Sequence, residues 1–120
     1  MATILAVDDT ESLRQMVSFT LQSSGHEVLQ AADGEEGLSA ARELNFDLII
    51  TDVNMPEMDG IALIQQLRQL PQYRTTPLLI MTTESGNDRQ QQGKSAGATG
   101  WLLKPFSPQT LLDVVQRVLN

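Results

Sequence analysis

Residues 3–9 read Thr-Ile-Leu-Ala-Val-Asp-Asp, and this stretch indicates the architecture of the whole chain. A short, unbroken apolar run is typical of a parallel strand that is buried on both faces of its sheet. Residues 47–52, Asp-Leu-Ile-Ile-Thr-Asp, repeat the arrangement, because a second apolar run again ends on an acidic residue. Such runs predict a parallel sheet with polar residues placed directly after its strands.

Five strands alternate with five helices along the chain. The strands are predicted at residues 3–7, 26–31, 47–51, 78–82 and 99–103. Asp33 with Glu36 forms a capping box that opens the second helix, and Ser107 with Pro108 opens the fifth. The fourth helix, at residues 86–96, has the most polar pattern. The alternation predicts a doubly wound α/β fold with helices on both faces of the sheet.

Composition limits the classes of function that the chain can have. At 120 residues with 41% hydrophobic residues it suits one domain, and the absence of cysteine excludes disulfides and thiolate chemistry. A net charge of -7 with scattered basic residues argues against nucleic-acid binding. No apolar run approaches the roughly 20 residues that span a bilayer, and acidic residues interrupt the N-terminus where a secretion signal would continue. We therefore expect a cytoplasmic protein.

Polar residues follow the predicted strands. Asp8 and Asp9 follow the first strand, Asp52 follows the third, Thr82 and Thr83 end the fourth, and Lys104 ends the fifth. Because the carboxyl ends of parallel strands lie at one edge of the sheet, we expect these side chains to meet there. His26 enters the second strand and therefore belongs to the opposite edge.

Three converging carboxylates repel one another, and a cation relieves that repulsion. Magnesium prefers oxygen ligands and binds carboxylates together with phosphate, whereas zinc favours histidine or cysteine. We therefore expect Mg²⁺ with a phosphoryl ligand, whose oxygens the Lys104 charge and the Thr82 hydroxyl would hold. Asp52 is the candidate nucleophile for an aspartyl-phosphate because it stands alone on a central strand, and the adjacent Asp8 and Asp9 suit metal ligation.

Each of these residues also has a purely structural interpretation. Asp8 and Asp9 could cap the first helix, and Asp52 could be an ordinary turn residue. Thr82 is β-branched and suits a strand end, and Lys104 could be a solvated surface lysine. Their coincidence at successive strand ends favours the functional interpretation.

The ordered set resembles the two-component response-regulator receiver domain, in particular its single-domain chemotaxis (CheY-like) type. The set comprises Asp8 and Asp9, Asp52 in Asp-Val-Asn-Met-Pro-Glu-Met-Asp-Gly (residues 52–60), Thr82, and Lys104-Pro105-Phe106. The resemblance covers the whole chain and implies that residues 1–120 form one receiver domain. It also implies a flavodoxin-like fold with five helices and a five-stranded parallel sheet in the order 2-1-3-4-5.

The resemblance implies a role for each site residue. Asp52 would accept the phosphoryl group, and Lys104 would contact it. Asp9 and Asp52, with the backbone carbonyl of Asn54, would hold Mg²⁺, and Asp8 would act largely through bound water. No organic cofactor is implied.

The resemblance further implies a switch. The Thr82 hydroxyl would move toward the phosphate and Trp101 would turn inward, which would reshape the surface of the fourth helix, fifth strand and fifth helix. Asn54 and Glu84 occupy positions that influence how quickly the phosphoryl group is lost. The peptide bond Lys104–Pro105 is expected to be cis.

In this interpretation the chain is a stand-alone signalling protein and not an enzyme, although it assists its own phosphorylation and dephosphorylation. A histidine kinase, of the chemotaxis type, would supply the phosphoryl group. Output would come from protein contact by a monomer, with the flagellar motor switch as the expected target. Alternatives are a phosphorelay intermediate or phosphate sink and, in a different class, a haloacid-dehalogenase-like phosphohydrolase, which would need a carboxyl general acid where Asn54 stands.

Overall fold

A computed structural model describes residues 2–83 and 87–120. Its strands are β1 (Thr3–Val7), β2 (Glu27–Ala31), β3 (Leu48–Asp52), β4 (Leu78–Thr82) and β5 (Gly100–Leu103). Its α-helices are α1 (Glu11–Ser23), α2 (Gly34–Glu43), α3 (Gly60–Gln69), α4 (Asn87–Ala96) and α5 (Pro108–Leu119), and a 3-10 turn spans Pro71–Tyr73. All strand pairs are parallel, in the order β2-β1-β3-β4-β5. The predicted flavodoxin-like fold is confirmed.

The sheet separates two apolar clusters. Successive strand residues point to opposite faces, so Ile49 belongs to the cluster beneath α2 and α3, and Ile50 to the cluster beneath α1 and α5. Every residue of β3 and β4 is buried. Burial on both faces explains why these central strands are continuous apolar runs and do not alternate with polar residues.

Side chains fix the starts of several helices. The Asp33 carboxylate accepts a hydrogen bond from Glu36 N at 2.8 Å, and the Ser107 hydroxyl accepts one from Thr110 N at 3.1 Å, as predicted. Asp59 caps α3 in the same way. α1 starts at Glu11, and the Thr10 side chain before it makes no capping hydrogen bond.

Four strand boundaries differ by one residue from the prediction: β2, β3 and β5 each begin one residue later, and β3 ends one residue later, at Asp52. β3 begins at Leu48, and Asp47 before it bonds the start of β1: its carboxylate accepts a hydrogen bond from Thr3 N at 2.9 Å, and its amide donates one to Thr3 O at 2.8 Å. β2 begins at Glu27, and the preceding His26 uses Nδ1 to accept a hydrogen bond from Ala2 N at 3.0 Å. His26 is therefore a structural residue at the edge of the sheet opposite Asp8.

Tyr73 joins α3 to the end of α2. Its side chain is fully buried, and its hydroxyl lies 2.7 Å from Ala41 O and 2.6 Å from Leu44 O. The last carbonyls of a helix have no partner within the helix, so an outside donor is needed when they are buried. Tyr73 supplies that donor. None of the helices in the described ranges is long and apolar enough to cross a bilayer.

Candidate functional site

Three carboxylates meet at the carboxyl edge of the sheet. Asp8 and Asp9 follow β1, and Asp52 is the last residue of β3. One oxygen from each lies within 4.8 Å of the others. Asp8 is 0% and Asp52 5% exposed, whereas Asp9 is exposed, so the cluster runs from the interior to solvent. The predicted convergence of the three acids is confirmed.

Lys104 reaches this cluster from β5. Its Nζ donates a hydrogen bond to Asp52 Oδ1 at 2.9 Å and lies 3.6 Å from Asp8 Oδ2, an ion-pair distance too long for a hydrogen bond. Its amide N donates to Thr82 O at 2.7 Å, which continues the β4–β5 ladder beyond the strand and aims Lys104 at the acids. The peptide bond to Pro105 is cis, as predicted.

The Asp8 carboxylate is held on one side only. Its Oδ1 accepts a hydrogen bond from Thr10 N at 2.8 Å, and its buried Oδ2 has no hydrogen-bond partner among the described residues. Burial raises the pKa of the Asp8 carboxyl, and the Asp52 charge raises it further, against the opposing effects of the Thr10 hydrogen bond and Lys104. This oxygen is placed to gain a cationic ligand.

The residues present fit a magnesium ion. Oxygen is the donor that all three acids offer, and neither histidine nor cysteine belongs to this group. The buried Asp8 Oδ2 with unused bonding capacity is the kind of atom that a cation satisfies. Asn54, whose carbonyl was the further predicted ligand, lies two residues beyond Asp52 in an exposed part of the following loop.

The predicted switch residues flank the site on β4 and β5. Thr82, the last residue of β4, is 2% exposed and is paired in register with the residue before Lys104. Trp101 on β5 is 38% exposed and is paired with Ile80. Glu84, the second predicted tuning position, lies outside the described residues.

Some residues at the site could not be identified from the sequence. Arg14 on α1 donates from Nη1 to Asp8 O at 2.7 Å and from Nε to Gln30 Oε1 at 3.0 Å, so it fixes the end of β1. An arginine in the first turns of a helix is typical of a solvent-exposed face. No sequence signal distinguishes such an arginine from one that bonds the end of a neighbouring strand.

The negative charge of the chain gathers at this edge. Nine of the 15 acidic residues lie in the loops after β1, β2 and β3, in the first turns that follow, or at the end of β3: Asp8, Asp9, Glu11, Asp33, Glu35, Glu36, Asp52, Glu57 and Asp59. Among the described residues, the basic side chains close to them are Arg14, near the start of α1, and Lys104, directly after β5. Acidic residues therefore outnumber basic ones at the carboxyl ends of β1, β2 and β3.

Comparison with known proteins identifies the family. Residues 4–116 match the response regulator receiver domain. The alkaline phosphatase synthesis transcriptional regulatory protein PhoP of Bacillus subtilis is 39% identical over 98% of this chain, which spans only 48% of that regulator. A chemotaxis protein CheY homolog of Campylobacter jejuni is 35% identical over 98% of this chain and 92% of its own length.

Solved structures agree over 98% of the chain. Chemotaxis protein CheY4 of Vibrio cholerae superposes with a TM-score of 0.96 and 55% identity, covering 98% of both chains. The receiver domain of sensor histidine kinase PA1611 from Pseudomonas aeruginosa, with a magnesium ion coordinated in its active site cleft, has a TM-score of 0.91 and 26% identity over 98% of this chain and 97% of its own. The chain therefore belongs to the response regulator receiver domain family and is a CheY-like receiver.

Proposed function

We propose that residues 1–120 form one receiver domain that accepts a phosphoryl group on Asp52 from a histidine kinase. The observation that carries this proposal is the environment of the Asp52 carboxylate. It lies within 4.8 Å of carboxylate oxygens of Asp8 and Asp9 and accepts a hydrogen bond from Lys104 at 2.9 Å. A nucleophilic carboxylate needs this setting, in which cations offset the charge of an approaching phosphoryl group.

The transfer makes one bond and breaks one. A carboxylate oxygen of Asp52 attacks the phosphorus of the kinase phosphohistidine, and the P–N bond breaks. The imidazole nitrogen keeps the electron pair of that bond and takes up a proton, and Asp52 becomes an acyl phosphate. Lys104 carries the positive charge that stabilises the phosphoryl oxygens during transfer.

Asp8, Asp9, Asp52 and the Asn54 carbonyl are the proposed magnesium-binding groups. Bound there, Mg²⁺ supplies positive charge that offsets the carboxylates and the incoming phosphoryl oxygens. The buried Asp8 Oδ2, which has no hydrogen-bond partner among the described residues, supports this assignment, as does the magnesium ion in the PA1611 receiver.

Signalling requires that the phosphoryl group changes the surface and is then removed. Thr82 is the proposed hydroxyl donor to the phosphoryl group, and Trp101 is the aromatic that responds. For removal, water attacks the phosphorus, the P–O bond to Asp52 breaks, and the carboxylate and inorganic phosphate are released. Asn54 and Glu84 are the positions proposed to set the rate of this step.

The proposed setting is chemotaxis in the cytoplasm. Similarity to CheY4 and to the Campylobacter CheY homolog over nearly their full lengths supports a chemotaxis-type kinase as the donor. The protein acts as a monomer, and a protein such as the flagellar motor switch is its target.

Intact-mass analysis after incubation with phosphoramidate and Mg²⁺ tests the proposal. The wild-type chain is expected to gain one phosphoryl group, and EDTA is expected to abolish the gain. Asp52→Asn should gain none, whereas Asp113→Asn, an exposed carboxylate on α5, should behave as wild type. A phosphoryl group found on Asp52→Asn would overturn the assignment.

A further inference from the structure

Thr51 places a polar side chain where the fold calls for an apolar one. It is 0% exposed and lies on β3 between Val7 of β1 and Ile80 of β4. Its hydroxyl donates a hydrogen bond to the backbone carbonyl oxygen of Asp52 at 3.0 Å. A buried hydroxyl destabilises a strand unless it is hydrogen-bonded, and valine would fill the same space without that requirement.

Gly60 confines the same carbonyl from the other direction. It is the first residue of α3, and its amide donates to Val53 O at 2.9 Å. A Cβ on Gly60 would overlap the Asp52 carbonyl oxygen, and would lie 2.9 Å from the Asp52 carbonyl carbon and 3.1 Å from Val53 Cα. All three atoms belong to the backbone, so no side-chain rotation could relieve the overlap.

We propose that Thr51 and Gly60 are positioning residues, which fix the peptide unit between Asp52 and Val53 and thereby the direction of the Asp52 carboxylate. Neither residue touches the reacting atoms. The Thr51 hydroxyl orients the Asp52 carbonyl oxygen. The start of α3 packs against that oxygen at Gly60, which has no side chain. This inference rests on the proposed function, because it concerns the efficiency of phosphoryl transfer to Asp52.

The proposal has a physical reason in the geometry of in-line transfer. An attacking oxygen must lie on the line through phosphorus and the leaving nitrogen, and small misplacements of a reacting group cost rate steeply. The carboxylate is attached to a backbone that ends its strand here. Lys104 donates a hydrogen bond to the Asp52 carboxylate, and Thr51 and Gly60 pack against the Asp52 backbone carbonyl.

A pair of substitutions at position 51 separates positioning from stability. Thr51→Val removes the hydroxyl and keeps the shape, and its phosphorylation rate constant at saturating phosphoramidate and Mg²⁺ should fall about tenfold, the effect of one lost hydrogen bond. Thr51→Ser keeps the hydroxyl and should stay within about twofold of wild type. The phosphoramidate concentration at half-maximal rate should be unchanged in both. Thr51→Ala, which loses the hydroxyl without adding a methyl group, should match Thr51→Val.

Two further variants complete the experiment. Thr20→Val removes another buried threonine hydroxyl, on α1, and should leave the rate constant unchanged whatever it does to stability. Gly60→Ala should slow phosphorylation at least as much as Thr51→Val, while Gly100→Ala, whose Cβ would meet Leu79 at an ordinary 3.5 Å, should not.

The outcomes distinguish this inference from the proposed function. If wild type takes no phosphoryl group, the proposed function fails. If wild type is phosphorylated and Thr51→Val is as fast as Thr51→Ser, the positioning role is overturned. An equal loss in Thr20→Val would also overturn it, because the effect would then follow general stability.

Discussion

The Asp8 carboxylate lies in a buried environment that disfavours its negative charge. It is 0% exposed, one oxygen has no hydrogen-bond partner among the described residues, and burial raises its pKa. A raised pKa in the folded state means that folding favours the protonated acid. The metal-free protein therefore loses stability when Asp8 ionises, and a bound cation would restore it.

Asp8→Asn is expected to stabilise the metal-free protein at neutral pH. Above the ordinary carboxyl pKa of 3.8, the folded state retains a proton that the unfolded chain has released, so this contribution to stability falls as pH rises. The advantage of the variant over wild type should therefore grow with pH. Urea unfolding in EDTA at several pH values measures it.

The magnesium response of the same variant should have the opposite sign. Mg²⁺ at ten times its Kd should stabilise wild type by about 1.4 kcal/mol and Asp8→Asn by much less. Asp113→Asn is the matched control in EDTA, because Asp113 is exposed on α5 and outside the acidic cluster, so its loss should not stabilise the metal-free fold. If Asp8→Asn has the same free energy of unfolding as wild type at neutral pH in EDTA, ionised Asp8 does not destabilise the metal-free fold.

At the scale of elements, Tyr73 links α2 to the segment after α3. Its hydroxyl shares one hydrogen between Ala41 O and Leu44 O, the terminal carbonyls of α2, and accepts from Phe46 N at 3.4 Å. Desolvation by burial raises the pKa of the Tyr73 phenol, so its hydrogen stays in place through neutral pH.

Tyr73→Phe should lower the free energy of unfolding by about 1 to 3 kcal/mol, because Ala41 O and Leu44 O both lose the hydroxyl donor. The ring fits the same space, so the denaturant m-value should not change. Gln72→Leu is the control, because its amide donates to the same Ala41 carbonyl at a longer 3.3 Å and its loss should cost less. Equal losses in the two variants would contradict the capping role of Tyr73.

Elements differ in how well the sequence predicts them. β3 and β4 are continuous apolar runs because both of their faces are buried, and β4 lies at the predicted residues while β3 is shifted by one residue. α4 lacks an apolar stripe: in residues 90–96 only Gly93 and Ala96 are buried. Its docking depends on a close backbone approach, since a Cβ on Gly93 would lie 2.7 Å from Ile80 Cδ1. Such an approach leaves little hydrophobic periodicity in the sequence.

For the molecule as a whole, the charged residues of the site could be predicted from the sequence, but the residues that position them could not. Asp8, Asp52 and Lys104 could be predicted because strand ends of a parallel sheet share one edge. Arg14 could not, because its role depends on a distance between α1 and the end of β1. Thr51 could not, because a β-branched residue suits a strand whether or not its hydroxyl bonds the neighbouring carbonyl. The structure supplies both hydrogen bonds.

The acidic carboxyl edge also determines how dissolved ions act on the molecule. At 0.15 M salt the Debye length is about 8 Å, so the spread acidic rim is screened, while carboxylates within 4.8 Å of one another are screened much less. Sodium chloride should therefore raise the Tm of the metal-free protein gradually. Millimolar Mg²⁺ should raise it further, with little change in ionic strength. In Asp52→Asn the rise in Tm with sodium chloride should persist, and the further rise with Mg²⁺ should shrink. A Tm that does not change with sodium chloride would contradict self-repulsion at this edge.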